Sequence, residues 1–180
     1  MPRYVAFLRA INVGGRRVKM EALAEIFRGL GLADVTTFIA SGNVLFSAAA
    51  KDRSALERKI EKALEKELGY VVETFIRSLA EIAALAAFQP FAAKEMETAG
   101  HTVHVVFLQR EWSAAEVEAA AGFCNAFDQL NPQGRDLWWL CRGSILDTQI
   151  KWNKFGKAIP GQTTARNLTM IRKLIAKHPL

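Results

Sequence analysis

Tyr4-Val5-Ala6-Phe7-Leu8-Arg9, followed by Ala10-Ile11-Asn12-Val13-Gly14-Gly15, is the stretch on which the fold turns. In an extended chain Val5 and Phe7 point to one side while Ala6 and Leu8 point to the other, and both sides are apolar. A strand of this kind belongs inside a sheet with both faces covered, not at its edge. The polar, glycine-containing loop that follows is a sharp change of chemistry at the strand's end.

Working outward, a helix is expected from Met20 to Leu30, with Leu23, Ile26, Phe27 and Leu30 on one face and Gly31 as its stop. A hairpin of Val35–Ile39 and Val44–Ser47 turns at Ser41-Gly42-Asn43. A second helix runs from about Arg53 to Leu68, with Leu56, Ile60, Leu64 and Leu68 in a stripe and Gly69 beyond it. Tyr70–Ile76 reads as a further strand. The order β-α-β-β-α-β is the ferredoxin-like split unit. If its third strand pairs antiparallel to its first, Asn12–Gly15 and Ser41–Asn43 lie at one end of the sheet, about 10 Å apart or less. The beginning of the Tyr70 strand joins them there.

Ser78 and Glu81 form a capping box for a helix ending before Gln89-Pro90, and Lys94–Gly100 reads as a linker. A strand from His101 to Leu108 opens the second half. Ser113 and Glu116 cap a helix reaching Phe123. Asn131-Pro132-Gln133-Gly134 reads as a turn cluster, Leu137–Cys141 and Ile145–Ile150 as strands about Arg142-Gly143-Ser144, and Ala165–Lys177 as a last helix stopped by Pro179. The fold class is therefore α+β with two ferredoxin-like-type subdomains, the first complete and the second a truncated β-α-β-β-α. The divisions expected are 1–77, a helix and linker over 78–99, and 100–180.

At 180 residues the chain buries roughly 70% of its unfolded surface and needs no metal or disulfide to hold it. No apolar run reaches the roughly 18 residues of a membrane span, and the amino terminus runs straight into a strand, so a cytoplasmic protein without membrane partners is expected. Cys124, placed in a helix, and Cys141, placed in a strand, read as buried free thiols. The net charge of +6 is unevenly spread. Residues 1–77 carry 13 basic against 9 acidic side chains, 78–150 carry 4 against 9, and 151–180 carry 7 basic and no acidic ones. Such segregation suits an anionic partner, and equally a solvated basic tail.

The sequence Arg9-Ala10-Ile11-Asn12-Val13-Gly14-Gly15 before Lys19-Met20, then Ser41-Gly42-Asn43-Val44, and later Thr163-Thr164-Ala165-Arg166-Asn167 with Lys173-Leu174, resembles the bacterial family catalogued as domain of unknown function 1697. The resemblance spans nearly the whole chain and implies a two-part α+β structure built on ferredoxin-like units. It implies no activity. Ala10 and Leu168 depart from the glycine and the aromatic residue more common in the family.

Glycines let backbone N–H groups approach an anion, and a helix start adds partial positive charge. Asn12, Gly14, Gly15, Arg16, Arg17, Lys19, Ser41, Gly42 and Asn43 thus form a candidate phosphate or carboxylate cradle. The spacing matches neither a Walker loop nor a dinucleotide fingerprint. The same residues equally describe two tight turns that need Gly and Asn. On the last helix, Leu168, Ile171, Leu174, Ile175 and His178 share one side, and Arg166, Thr169, Met170, Lys173 and Lys177 the other, a basic face able to track phosphates. Arg166, Asn167 and Lys173 join the candidate ligand residues.

His101 and His104 point to opposite faces, and no metal site, catalytic set or cofactor is indicated. The expected role is a binding module for a phosphate-bearing small molecule or nucleic acid. The alternatives are an enzyme orienting an anionic substrate with Asn12, Ser41, Asn43 and Arg166, or a structural protein, such as a homodimer, docking through the open sheet face.

Overall fold

The structure is a computed structural model that describes residues 1–15, 17–39 and 42–180. The candidate residues Arg16 and Ser41 lie outside the described residues. The chain forms two compact units, one of Met1–Ala83 with Lys177–Leu180 and the other of Ala84–Ala176.

The first unit holds β1 (Arg3–Leu8), α1 (Met20–Gly29), β2 (Ala33–Thr37), β3 (Asn43–Ser47), α2 (Arg53–Leu68) and β4 (Thr74–Ser78). Its sheet order is β2-β3-β1-β4, with every neighbour antiparallel. β1 is central, and Val5, Ala6, Phe7 and Leu8 are all buried, as the two-sided apolar pattern requires. One face packs Ala6, Leu8, Val44, Phe46 and Ile76 against Leu23 and Phe27 of α1 and Leu56, Ile60 and Leu64 of α2. Asp52 caps α2 by accepting from the Ala55 amide at 3.1 Å, and Gly69 ends it in the left-handed conformation.

Strand β4 starts at Thr74, four residues later than the sequence suggests. Gly69 turns the chain out of the helix, and Tyr70 and Val72 then pack into the helix-side core; the regular ladder with β1 begins at Thr74, and Glu73 O accepts one further bond from the Arg9 amide. β4 is an edge strand, and α2 covers its outward amides. The Ile76 N–H donates to the buried Glu57 Oε1 at 2.8 Å, and the Thr74 N–H to Glu61 Oε1 at 2.9 Å. Two carboxylates thus occupy donors that a foreign strand would otherwise pair with.

The second half is not truncated. β5 (Thr102–Phe107), α5 (Ala114–Ala121), β6 (Asp128–Gln133), β7 (Asp136–Cys141), α6 (Trp152–Ala158) and β8 (Thr164–Asn167) make a second complete split unit, ordered β6-β7-β5-β8. α3 (Leu79–Ala87) precedes this unit's first strand in the chain, and α7 (Leu168–Lys177) follows its last. The final strand is Thr164–Asn167, where the sequence predicts a helix from Ala165. Asn167 Oδ1 accepts from the Thr169 amide at 2.8 Å, so α7 begins only at Leu168.

Asn131-Pro132-Gln133 is strand, not turn; β6 is an edge, where proline's missing N–H costs no ladder bond. The hairpin therefore joins β6 to β7 through Gly134, and 145–150 is not a strand but a 3-10 turn (Ile145–Asp147) leading to the buried Ile150. Asp128 captures that segment: its buried carboxylate accepts from Thr148 Oγ1 at 2.9 Å, the Gln149 amide at 2.8 Å and Trp139 Nε1 at 2.8 Å. The supposed linker contains a short helix, α4 (Ala93–Glu97). Cys124 lies past the end of α5 and is exposed, whereas Cys141 is buried in β7. Both capping boxes form, at Ser78–Glu81 and Ser113–Glu116.

Candidate functional site

The register of the first sheet decides which loops meet. Phe7 pairs with Asn43 and Leu8 with Thr74, so the end of β1 and the beginnings of β3 and β4 share one edge. Two backbone bonds extend the pairing past the strands, Leu8 N–H to Gly42 O at 2.8 Å and Arg9 N–H to Glu73 O at 2.9 Å. Gly42, at φ 70°, lies against Ile11 and Leu8, so the first loop and the β2–β3 turn interlock.

Each loop is closed by an asparagine. Asn12 Oδ1 accepts from the Val18 amide at 2.6 Å. Asn43 is fully buried and donates from Nδ2 to Phe38 O at 3.0 Å, while the Phe38 amide donates to Asn43 O at 2.9 Å. These side chains shape the edge from within.

The backbone between them has an unusual pattern. φ is positive at Ala10 (54°), Asn12 (58°) and Gly14 (60°) and negative at the intervening Ile11 and Val13, with Gly15 again positive at 84°. Alternation of φ sign is the backbone pattern in which successive N–H groups can turn toward a common side. No acceptor among the described residues takes the amides of Val13, Gly14 or Gly15, and all three residues are exposed. Ile39, across the edge, sits at φ 49°, a costly conformation for a β-branched residue, and is 54% exposed.

Charge around this edge is mostly positive. Arg17 and Lys19 are exposed, and Lys19 occupies the N-cap position of α1 with no side chain capping the helix. Lys177 Nζ stands 5.9 Å from the centre of the Phe38 ring, and His178 meets the same ring edge-on at 6.0 Å. Arg9 pairs with Glu73 at 3.4 Å. Burial, with Lys177 and Arg3 nearby, pushes the His178 imidazole below its ordinary value.

Asn12, Gly14, Gly15, Arg17, Lys19, Gly42 and Asn43 are thus gathered at one edge of the first unit. Arg166, Asn167 and Lys173 belong to the second. Arg166 does not share a helical face with Lys173. It lies in β8, where its guanidinium donates to Thr164 Oγ1 and Ala165 O, each at 2.8 Å, and burial lowers it to about 10. Asn167 caps α7, and Lys173 is exposed upon it. The apolar stripe of α7 is as expected, with Leu168, Ile171 and Leu174 buried.

Sequence reasoning missed the strained Ile39, Lys177 at Phe38, and a buried histidine. His104 lies against Trp139 with ring centres 5.1 Å apart, its Nδ1 has no hydrogen-bond partner among the described residues, and burial lowers its pKa. Among the described residues no cluster of His, Cys, Asp and Glu is placed to hold a metal ion, and no helix is long and apolar enough to cross a membrane.

The fold is similar to the solved structure of the conserved bacterial protein SP0830 from Streptococcus pneumoniae. That likeness has a TM-score of 0.75 and 21% identity, over 98% of this chain and 99% of the other. No curated protein matches the chain. Residues 1–138 match a family of proteins of unknown function, DUF1697, and the protein belongs to that family.

Proposed function

We propose that the protein is a binding module for a phosphate-bearing ligand, held at the loop edge of its first unit. The supporting observation is the run of alternating φ from Ala10 to Gly14, which leaves the Val13, Gly14 and Gly15 amides without acceptors beside Arg17 and Lys19. Backbone donors in a preset curve bind an oxyanion without reorganisation, and flanking cations raise its local concentration. A phosphorylated small molecule and the backbone of a nucleic acid both present this chemistry.

Fluorescence anisotropy with labelled single- and double-stranded oligonucleotides, and with a labelled nucleotide, tests the reading. Three cations at the edge, Arg17, Lys19 and Lys177, correspond to a slope of log affinity against log salt of about −2 to −3 for duplex DNA. Replacing Arg17 and Lys19 by Ala flattens that slope by about two units. Absence of binding to every probe at low salt rejects the proposal.

A further inference from the structure

The loop edge carries apolar groups as well as donors. Val13 in the first loop is 54% exposed, Ile39 in the β2–β3 turn 54%, and Val71 in the lead-in to β4 57%. Each belongs to a different one of the three segments that the register brings to this edge. Scattered exposed aliphatics are ordinary on any protein. Here the three belong to segments that meet at one edge, which also carries the exposed Arg17 and Lys19 and the Val13, Gly14 and Gly15 amides. A β-carbon added at Gly14 or Gly15 meets nothing within 4 Å among the described residues.

From these observations we infer that the partner of this edge is an anionic phospholipid surface, bound peripherally. The inference rests on the phosphate reading above and names the partner. An outward-facing crown of this composition suits an extended surface that offers phosphates and hydrocarbon within a few ångströms of each other. Nucleic acid stacks its apolar bases away from its phosphates, and base-stacking proteins answer with exposed aromatic rings. The exposed tips here are aliphatic. A bilayer with acidic headgroups presents both chemistries over its whole area and attracts basic residues at the surface. Val13, Ile39 and Val71 would enter the headgroup boundary while the loop amides, Arg17 and Lys19 take lipid phosphates.

The test is co-sedimentation of the full chain with vesicles of phosphatidylcholine alone or mixed with phosphatidylglycerol, alongside titrations with glycerol 3-phosphate and an oligonucleotide. Partition onto the phosphatidylglycerol vesicles at least about ten-fold above the neutral ones is expected. Arg17→Ala with Lys19→Ala lowers it by about 25-fold. Val13→Ser, Ile39→Ser and Val71→Ser together lower it by about ten-fold at unchanged salt, with circular dichroism reporting an intact fold. Undiminished partition of the triple serine variant overturns the inference. Binding to glycerol 3-phosphate or the oligonucleotide without vesicle partition overturns it too, while leaving the phosphate reading standing. Binding to no probe removes both.

Discussion

The Ile11 side chain fills the space that a β-carbon on Gly42 would need. Such a carbon would press into Ile11 Cγ2 and lie 3.2 Å from Leu8 Cβ, at a residue whose φ is already 70°. Ile11 is buried and β-branched, so it cannot swing aside cheaply. This contact locks the first loop onto the β2–β3 turn and makes one edge of two loops.

Gly42→Ala therefore adds steric overlap to left-handed strain and is expected to cost about 3–4 kcal/mol in urea unfolding. Gly14→Ala is the contrasting substitution. Its φ is 60° but a β-carbon there meets nothing, so only the strain of about 1–2 kcal/mol applies. Equal effects of the two substitutions would show that the loops are not interlocked.

The carboxylate of Glu57 is the second structural device open to test. It is 2% exposed and accepts the Ile76 N–H of the edge strand β4. Glu57→Ala leaves that donor buried without its acceptor, a loss of about 1–3 kcal/mol in chemical denaturation. With Glu61→Ala added, the Thr74 amide is also released, and light scattering is expected to show self-association. A double variant that stays monomeric would mean that the edge is guarded by other features.

Asp128 organises the second unit in the same manner. Removing its buried carboxylate abandons Trp139 Nε1, Thr148 Oγ1, the Gln149 amide and Asn125 Nδ2 together. Asp128→Ala is expected to destabilise by about 3–5 kcal/mol and to expose the 145–150 segment to proteolysis. Asp128→Asn keeps the acceptor on one side only and falls between. A loss under about 1 kcal/mol for the alanine variant would contradict this assignment.

His104 gives stability a pH dependence of known sign. Burial lowers its folded pKa below the unfolded value of 6.5, so the unfolded chain binds the proton first. Stability is full above that value and falls as pH drops from about 6.5 toward the folded pKa, at up to about 1.4 kcal/mol per pH unit. His178 is shifted in the same direction and adds to the loss. Urea midpoints measured from pH 7.5 downward check this, and His104→Leu is expected to flatten the profile. An unchanged profile in that variant would place the sensitivity elsewhere.

Much of the fold was legible because its signals are local. The two-sided apolar run at Val5–Leu8, the serine–glutamate boxes and Gly69 each act within a few residues of themselves. What escaped was decided at long range. Pro132 reads as a breaker until β6 is known to be an edge, and Ile145–Ile150 reads as a strand until Asp128, far away in sequence, captures it. β8 was hidden because Asn167 starts α7 directly at the strand's end, with no intervening loop. At the candidate site, adjacency of the loops followed from antiparallel pairing alone. The alternating φ of Ala10, Asn12 and Gly14, the strain at Ile39 and the strand position of Arg166 have no counterpart in residue type and emerge only from the folded backbone.

Amide-resolved NMR titration with inorganic phosphate tests whether the amides of the first loop bind a phosphate oxyanion. Saturable shifts of the Val13, Gly14 and Gly15 amides are expected, with smaller ones at Arg17 and Lys19, all strongly weakened by Arg17→Ala with Lys19→Ala. Shifts absent from these amides, or confined to the second unit around Arg166 and Lys173, would contradict it.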